Sequence, residues 1–429
     1  MAKKMLGILP ATVMVFMLCI SPSAIAAETV RIGALFPFTG PLALLGNESF
    51  NGASIAADMV NDRGGIKGKK IEWVKGDGVD PKKAMTECER FISVQKLNIV
   101  FGTYSSSLSY AASEIAERNK VIYWEQGAIA DPITARGFKY LFRICTKASK
   151  HGIIAADFSK DFIAPKLGVD PKNLKVAVIF EDSLYGTTVG SNAANHALKL
   201  GMKVVATESY NHQTVDLSPL VMILKARKPD VIMATNYLED GILFWKQAKD
   251  LDLNVKAFIG SGACHSMPTW PKNFGDEANY VFNADDPSVG VNLNALNPKI
   301  RAIRKEYEER FSKKFNHAPI TNATMGFESA RILFEEVLPA ATSFEPEAIR
   351  KAALQLDIPK GGTMFGFGLK FAPPEHPDAG QNLRAHSVMD QWQEQKLSVV
   401  YPLDFATKKP LVPMPTWEER AKKITRFVD

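Results

Sequence analysis

The sequence predicts an α/β protein built as two Rossmann-like lobes, each a parallel sheet flanked by helices, with a cleft between them. Three observations carry that prediction. Strand-like and helix-like segments alternate from Thr29 to Asn283, the pattern of parallel sheets covered by helices. The strand segments are near-continuous apolar runs, such as Val176-Ala-Val-Ile-Phe180 and Val231-Ile-Met-Ala234, as strands buried on both faces should be. The series also comes in two sets, one ending near Arg143 and the other near Asn283.

In the first set, the β-branched and apolar runs Thr29–Phe36, Lys70–Lys75, Asn98–Gly102 and Val121–Trp124 read as strands. Amphipathic spacing at Glu48–Asn61, Pro81–Gln95 and Leu108–Arg118 reads as the helices between them. Tyr140-Leu-Phe-Arg-Ile144 closes the set, and the helix Ser149–Ile163 leads into the second. There the strands are Leu174–Phe180, Met202–Glu208, Val231–Thr235, Val255–Gly260 and Tyr280–Asn283, with helices Gly186–Leu200, Leu217–Ala226 and Asp240–Leu251. Beyond Asp285 the pattern turns helical at Asn297–Phe315, Ala323–Leu338 and Pro346–Leu356. Short strands near Thr363–Phe371, Ser387–Gln393 and Leu397–Tyr401 follow, and the Lys- and Pro-rich stretch 407–429 reads as a surface strap or tail.

The first 26 residues read as an address. Basic Met1–Lys4, an apolar run Met5–Ile20 broken only by Thr12, and small Ala24 and Ala26 form the pattern of a cleaved secretory signal. The run is shorter than the ~20 residues of a membrane span. Cys19 follows Leu18 rather than a small residue, which argues against lipidation. An exported chain with Cys88, Cys145 and Cys264 has an odd number of thiols, and buried free thiols are the simplest reading. The 429 residues carry a formal charge of +6, of which Lys3 and Lys4 supply two. That balance is too mild and dispersed for a nucleic-acid partner.

Ligands of open α/β sheets bind beyond the carboxyl ends of the strands, so the loops there hold the candidate residues. Pro37-Phe-Thr-Gly-Pro-Leu-Ala-Leu-Leu-Gly46 follows the first strand. Gly102-Thr-Tyr-Ser-Ser-Ser-Leu-Ser109 follows the third and feeds a helix, presenting Tyr104, Ser105, Ser106 and Ser107 at its start. A helix N-terminus offers unpaired N–H donors and partial positive charge, which suits a carboxylate; a plain serine cap is the alternative. Trp124, which either stacks on a ligand or belongs to the core, precedes the small-residue turn Gly127-Ala128-Ile129. In the second set Tyr185, Tyr237 and Ser261-Gly-Ala-Cys-His265 follow strands, with Gly262 and His265 in the last of these loops. Enzyme signatures are missing: no G-x-S-x-G elbow, no H-E-x-x-H, and no His or Cys at metal-ligand spacing. No cofactor is expected. Adjacent Cys264 and His265 lack an identifiable orienting acid for nucleophilic catalysis.

These residues bring the chain to a resemblance. Arg31-Ile-Gly-Ala-Leu-Phe-Pro-Phe-Thr-Gly-Pro41, Asn51-Gly-Ala-Ser-Ile-Ala-Ala57, Asn61-Asp-Arg-Gly-Gly-Ile66, Asp80-Pro81, Gly102 with Ser105–Ser107, Thr134-Ala-Arg-Gly137, Phe142-Arg143, and Asp182 with Tyr185-Gly186 resemble the periplasmic solute-binding proteins of branched-chain amino acid ABC importers. These are type I periplasmic binding proteins carrying a leucine-binding-protein domain. The similarity runs from about residue 29 to about 400. It implies a three-crossover hinge near 144, 284 and 372, with 27–144 plus 285–372 as one lobe and 145–284 plus 373–405 as the other. It also implies a monomer that takes a small-molecule ligand, an amino acid or organic acid, and delivers it to permease subunits. Ser106 and the Gly127–Ile129 turn would hold a ligand carboxylate, Tyr185 and Tyr237 would come from the second lobe, and Leu45 falls where an aromatic residue often stands. The acid that pairs with a ligand ammonium in amino-acid binders is replaced by Gly262. Either Glu125, Glu239 or Asp240 substitutes, or the ligand is an amine-free acid contacted by Tyr104, Trp124 and Tyr185. A receptor for a signalling system shares the same fold, and an exported hydrolase is the remotest alternative.

Overall fold

The computed structural model describes residues 29–422; the export-signal reading of residues 1–26 lies outside them. The first sheet contains β1 (Thr29–Phe36), β2 (Lys70–Asp77), β3 (Ile99–Gly102), β4 (Ile122–Glu125) and β5 (Leu141–Arg143) in the order β2-β1-β3-β4-β5, all parallel. The second contains β6 (Lys175–Glu181), β7 (Lys203–Tyr210), β8 (Val231–Thr235), β9 (Ala257–Ser261), β10 (Phe282–Asp285), β11 (Val388–Gln393) and β12 (Lys396–Tyr401). Its order is β12-β11-β10-β9-β8-β6-β7, with only the β10–β11 and β11–β12 pairs antiparallel. The β7-β6-β8-β9-β10 part repeats the order of the first sheet, so both lobes have a topological switch point, at β1/β3 and at β6/β8. Crevices form there because the connections on either side leave in opposite directions.

Helices α1 (Ala43–Asp62), α2 (Pro81–Ser93), α3 (Ser106–Arg118) and α4 (Ala148–Phe158) are the first four along the chain. Asp80 caps α2 by accepting the Lys83 N–H, with Pro81 pre-set at the first helical position. Helix α1 crosses the helix Thr321–Arg331 with backbones nearly touching. A Cβ on Gly52 would lie 1.8 Å from the Ala323 carbonyl, and one on Gly326 would lie 1.9 Å from the Ser49 carbonyl. This crossing carries the start of the later helix to the mouth of the first lobe.

The chain passes between lobes after β5, after β10 and before β11. The third passage lies later than the expected position near 372. The Arg143 N–H donates to the Gly380 carbonyl, the Asn382 N–H donates to Arg143, and Leu383 donates to Lys370, so residues 373–383 stay with the first lobe. The expected strand Thr363–Phe371 is also absent: only isolated bridges link Ile358 with Leu369 and Phe371 with Asn382. Thr363, Gly366 and Gly361 bond among themselves and break the run into turns. The stretch 407–422 packs on the second lobe, with Met414 buried and Trp417 at 5.1 Å from Trp245. Cys88, Cys145 and Cys264 are all buried and free. Among the described residues no helix is long and apolar enough to cross a membrane.

Candidate functional site

A space of about 440 Å³ lies between the lobes. The loops after β3 and β4 wall it on one side with Tyr104, Ser106, Gly127 and Ile129. Tyr185, Tyr237, Gly262, Ala263 and Ser266 wall it on the other, following β6, β8 and β9. His151 of α4 and Asp285 at the end of β10 complete that side, and Thr321, Asn322 and Met325 complete the first. The loops after β3 and β4 of one lobe and after β6, β8 and β9 of the other thus meet in one cavity.

On the first lobe the wall is made of backbone, shaped by a carboxylate beneath it. Glu125, the last residue of β4, is fully buried. Its Oε1 accepts the N–H groups of Gly127 and Ala128 at 2.8 Å, of Gln126 at 2.9 Å and of Tyr104 at 3.4 Å. Its Oε2 accepts the Thr103 N–H at 2.8 Å and the Thr103 hydroxyl at 3.4 Å. Burial raises its pKa, and the backbone donors from Gly127, Ala128 and Thr103 oppose that rise. Two expectations change here. The Gly127 and Ala128 N–H groups face Glu125, which withdraws them from any ligand. Glu125 itself is saturated and offers nothing to a ligand ammonium.

Ser105 precedes α3 without capping it through its side chain. Ser106, the first helical residue, lines the cavity while its Oγ accepts the Ala130 N–H at 3.2 Å. Ser106 thus sets the start of α3 beside the cavity, and a carboxylate near a helix start gains from the helix dipole. Behind this wall the buried Arg143 donates to the Ala128 and Ala130 carbonyls at 3.0 and 2.8 Å and to Gln381 Oε1 at 2.6 Å. Gln381 in turn donates to the Cys145 carbonyl at 2.8 Å. The turn that borders the cavity is thus bonded to two of the three interlobe passages.

On the second lobe the wall is aromatic and charged. The rings of Tyr185 and Tyr237 lie 5.4 Å apart. The Tyr185 hydroxyl donates to the Ser261 carbonyl, and that of Tyr237 lies 3.4 Å from Ser183 Oγ. His151 Nδ1 pairs with Ser261 Oγ at 3.0 Å, and burial pulls the imidazole pKa down to about 3, so it is neutral at pH 7. Asp285 is 4% exposed.

Several residues singled out in the sequence are not brought to the cavity. Trp124 is core: its Nε1 donates to the Ser329 carbonyl at 3.0 Å and its ring packs on Phe142 and Phe371. Leu45 is buried in α1, and Ala128 lies under the turn. Ser107 and Ser105 stand beside Ser106 rather than among the cavity walls. His265 is buried against Trp270 at 4.7 Å and Phe258 at 5.4 Å, while the Cys264 thiol points to the Leu238 carbonyl. Glu239 is exposed on the outer face, and Asp240 accepts from the Tyr210 hydroxyl at 2.7 Å, outside the cavity. The wall residues that sequence reasoning missed are His151, Ala263, Ser266, Asp285, Thr321, Asn322 and Met325. Only Asp285, ending a strand, carried a signal that could have found it.

Glu181, Asp182 and His212 bring donor atoms within 4.8 Å of one another at the outer rim. Glu181 already accepts from the Ser183 N–H and hydroxyl at 2.7 and 2.6 Å and from the Gly186 N–H at 2.7 Å. It serves as a cap for the helix Leu184–Lys199.

The family model described as periplasmic binding protein matches residues 29–385. "Leu/Ile/Val-binding protein homolog 8" of Brucella abortus is 39% identical over 386 residues, covering 90% of this chain and 93% of that protein. Among solved structures, the branched-chain amino acid transporter substrate-binding protein LivJ of Streptococcus pneumoniae, in complex with isoleucine, superimposes with a TM-score of 0.72. It is 20% identical and covers 87% of this chain and 100% of its own. A solute-binding protein of an ABC transporter from R. palustris, in complex with benzoate, gives 0.71 at 18% identity, with 87% and 96% covered.

Proposed function

Because the chain belongs to the periplasmic binding protein family, we propose that it is an extracytoplasmic receptor that captures a small carboxylate-bearing solute between its lobes and delivers it to the permease of an ABC importer. One observation carries this reading: a single cavity receives strand-end loops of both lobes and borders the start of α3, which has no side-chain cap. The ligand carboxylate rests on the α3 N-terminus beside Ser106, and Tyr185 and Tyr237 close over the rest. The work is binding without bond making. A ligand that touches both lobes binds the closed form better than the open one, and closure follows from that difference. The hinge passages bonded to Arg143 and Gln381 then report occupancy to the outer faces, which a permease reads.

The test is a thermal-shift screen of amino acids and organic acids, followed by small-angle scattering. A stabilising ligand at 100 times its dissociation constant adds about 2.7 kcal/mol, and it should reduce the radius of gyration. Ser106→Ala should weaken that ligand about tenfold, the worth of roughly one hydrogen bond. A tight ligand that leaves both the radius and the Ser106→Ala affinity unchanged would exclude this site.

A further inference from the structure

Asp286 stands in the second interlobe passage, one residue beyond β10, and is 1% exposed. Its Oδ2 accepts the N–H of Thr146, in the first passage, at 3.2 Å, and its Oδ1 has no hydrogen-bond partner in the protein. The hydroxyls of Thr146, of Ser288 and of Ser387, which precedes β11 in the third passage, are buried and equally unpartnered. All three passages thus hold buried polar groups with unused hydrogen-bond capacity, and one carboxyl ties two of the passages together. Glu125 shows that this fold can saturate a buried carboxylate where the structure is fixed. Unused capacity is costly in an interior. A hinge is where it can be relieved, because the passage torsions change and the groups meet water as the lobes part.

Charge adds to that cost. Asp285 is adjacent, with its Oδ1 accepting the Asp286 N–H at 2.8 Å. Two buried carboxyls side by side cannot both ionise cheaply. Arg143, at the end of β5, is the cation that acts on Asp286. Its guanidinium is already committed to the Ala128 and Ala130 carbonyls, Gln381 and Thr134. The remaining titratable groups around the pair bring no positive charge. Burial keeps the Cys145 thiol protonated and His151 neutral, and Tyr104 and Tyr185 keep their protons. Asp390, which acts on Asp285 from β11, is held well above the usual carboxylate range by its own burial. His386, next to Ser387, is lowered by burial.

We propose that Asp286 makes the hinge proton-linked: closing the lobes takes up a proton on its carboxyl, so the receptor closes more readily, and holds its solute more tightly, as the surroundings acidify. This rests on the receptor reading above and adds a regulation to it. The direction agrees with ionisation in the closed form. Burial, and after it the Asp285 charge, hold Asp286 well above the ordinary carboxylate value, while Asp285 rises to about 6 and is charged at pH 7. A group whose pKa is higher in the closed form than in the open one favours closure below the closed-form value, and that favour is lost as pH rises through it. Asp286 does not line the cavity, so the linkage does not require contact with the solute.

The test is calorimetric titration of the full chain and of Asp286→Asn at pH 6.5 and 8.0, each in two buffers of different ionisation enthalpy. That window lies above the range of Asp285 and His386. Asparagine keeps an acceptor for the Thr146 N–H and stands in for the protonated acid. The probe is the tightest binder among benzoate, 4-methylpentanoate and the amino acids that do not themselves titrate in the window. Wild type should take up roughly half a proton or more per probe bound at pH 6.5, and its affinity should fall about fivefold or more by pH 8.0. Asp286→Asn should take up less than about 0.2 proton and change affinity less than about twofold over the same range. No proton uptake and a level affinity in wild type would overturn the proposal, whether or not the variant folds. Uptake that persists in a folded Asp286→Asn would overturn it as well. In either case a probe that binds and reduces the radius of gyration leaves the receptor reading standing, whereas no binding of any probe overturns both.

Discussion

The two buried carboxylates of the cleft, Glu125 in the first lobe and Asp285 in the second, look alike by burial and differ in their partners. Glu125 accepts from five backbone N–H groups and a hydroxyl, and it fixes two loops. Asp285 accepts one backbone N–H and keeps an oxygen bare. The first lobe spends its acid on building a rigid surface of donors. The second leaves its acid unfinished among tyrosines. The contrast teaches that burial and a raised pKa describe both acids alike, and that hydrogen-bond saturation is what separates them.

Breaking the structural acid should have the largest effect. Glu125→Ala leaves the N–H groups of Thr103, Tyr104, Gln126, Gly127 and Ala128 without their acceptor. We expect a loss of more than about 3 kcal/mol in urea denaturation, since each buried orphan donor costs about 1–3 kcal/mol. A loss below about 1 kcal/mol would remove Glu125 from its organising role. Removing the charge of Asp285 should act in the opposite sense. The Asp285 pKa rises from the ordinary 3.8 to about 6 on folding, so the folded state holds this proton over a window where the unfolded chain has released it. Stability from this group is therefore present at low pH, falls as pH rises from about 4 to about 6, and stays lost above. Asp285→Asn should make the ligand-free protein more stable at pH 7.5 by about 2 kcal/mol. That gain should shrink towards zero below about pH 4. A destabilised variant at pH 7.5 would show that the carboxylate has a partner inside the fold. The smallest effect is expected at Tyr237, whose hydroxyl lies 3.4 Å from Ser183. Tyr237→Phe should change ligand affinity less than threefold in calorimetry, and Tyr237→Ala more than tenfold, if the ring face is what the second lobe contributes.

Most of the fold was legible in the sequence because alternation and apolar runs are local signals. Val231–Thr235 and Thr29–Phe36 form strands over the same residues that read as strands, since a strand buried on both faces has little choice of residue type. The stretch 363–371 misled because its apolar residues pack without a ladder, around turns at Gly361 and Gly366. Loop position after a strand was enough to place Tyr104, Ser106, Gly127, Ile129, Tyr185, Tyr237 and Gly262 on the cavity wall. Loop position was not enough for Trp124 and His265, because an aromatic or imidazole ring after a strand turns inward or outward according to packing partners remote in the chain. Ser329 and Phe371 hold Trp124, and Trp270 and Phe258 hold His265.

Periodicity and composition, which act over a few residues, determined the two sheets and placed a serine-rich helix start at a strand end. Which acid would be saturated and which left bare depended on donors delivered by backbone geometry. Which residues would share the cavity with the bare one depended on elements far apart, Tyr104 and Tyr185 lining it together with Asp285 only once three interlobe passages had brought the lobes face to face. A side chain's character is written in the sequence; its unmet hydrogen bonds exist only in the folded molecule, because partners are chosen in space.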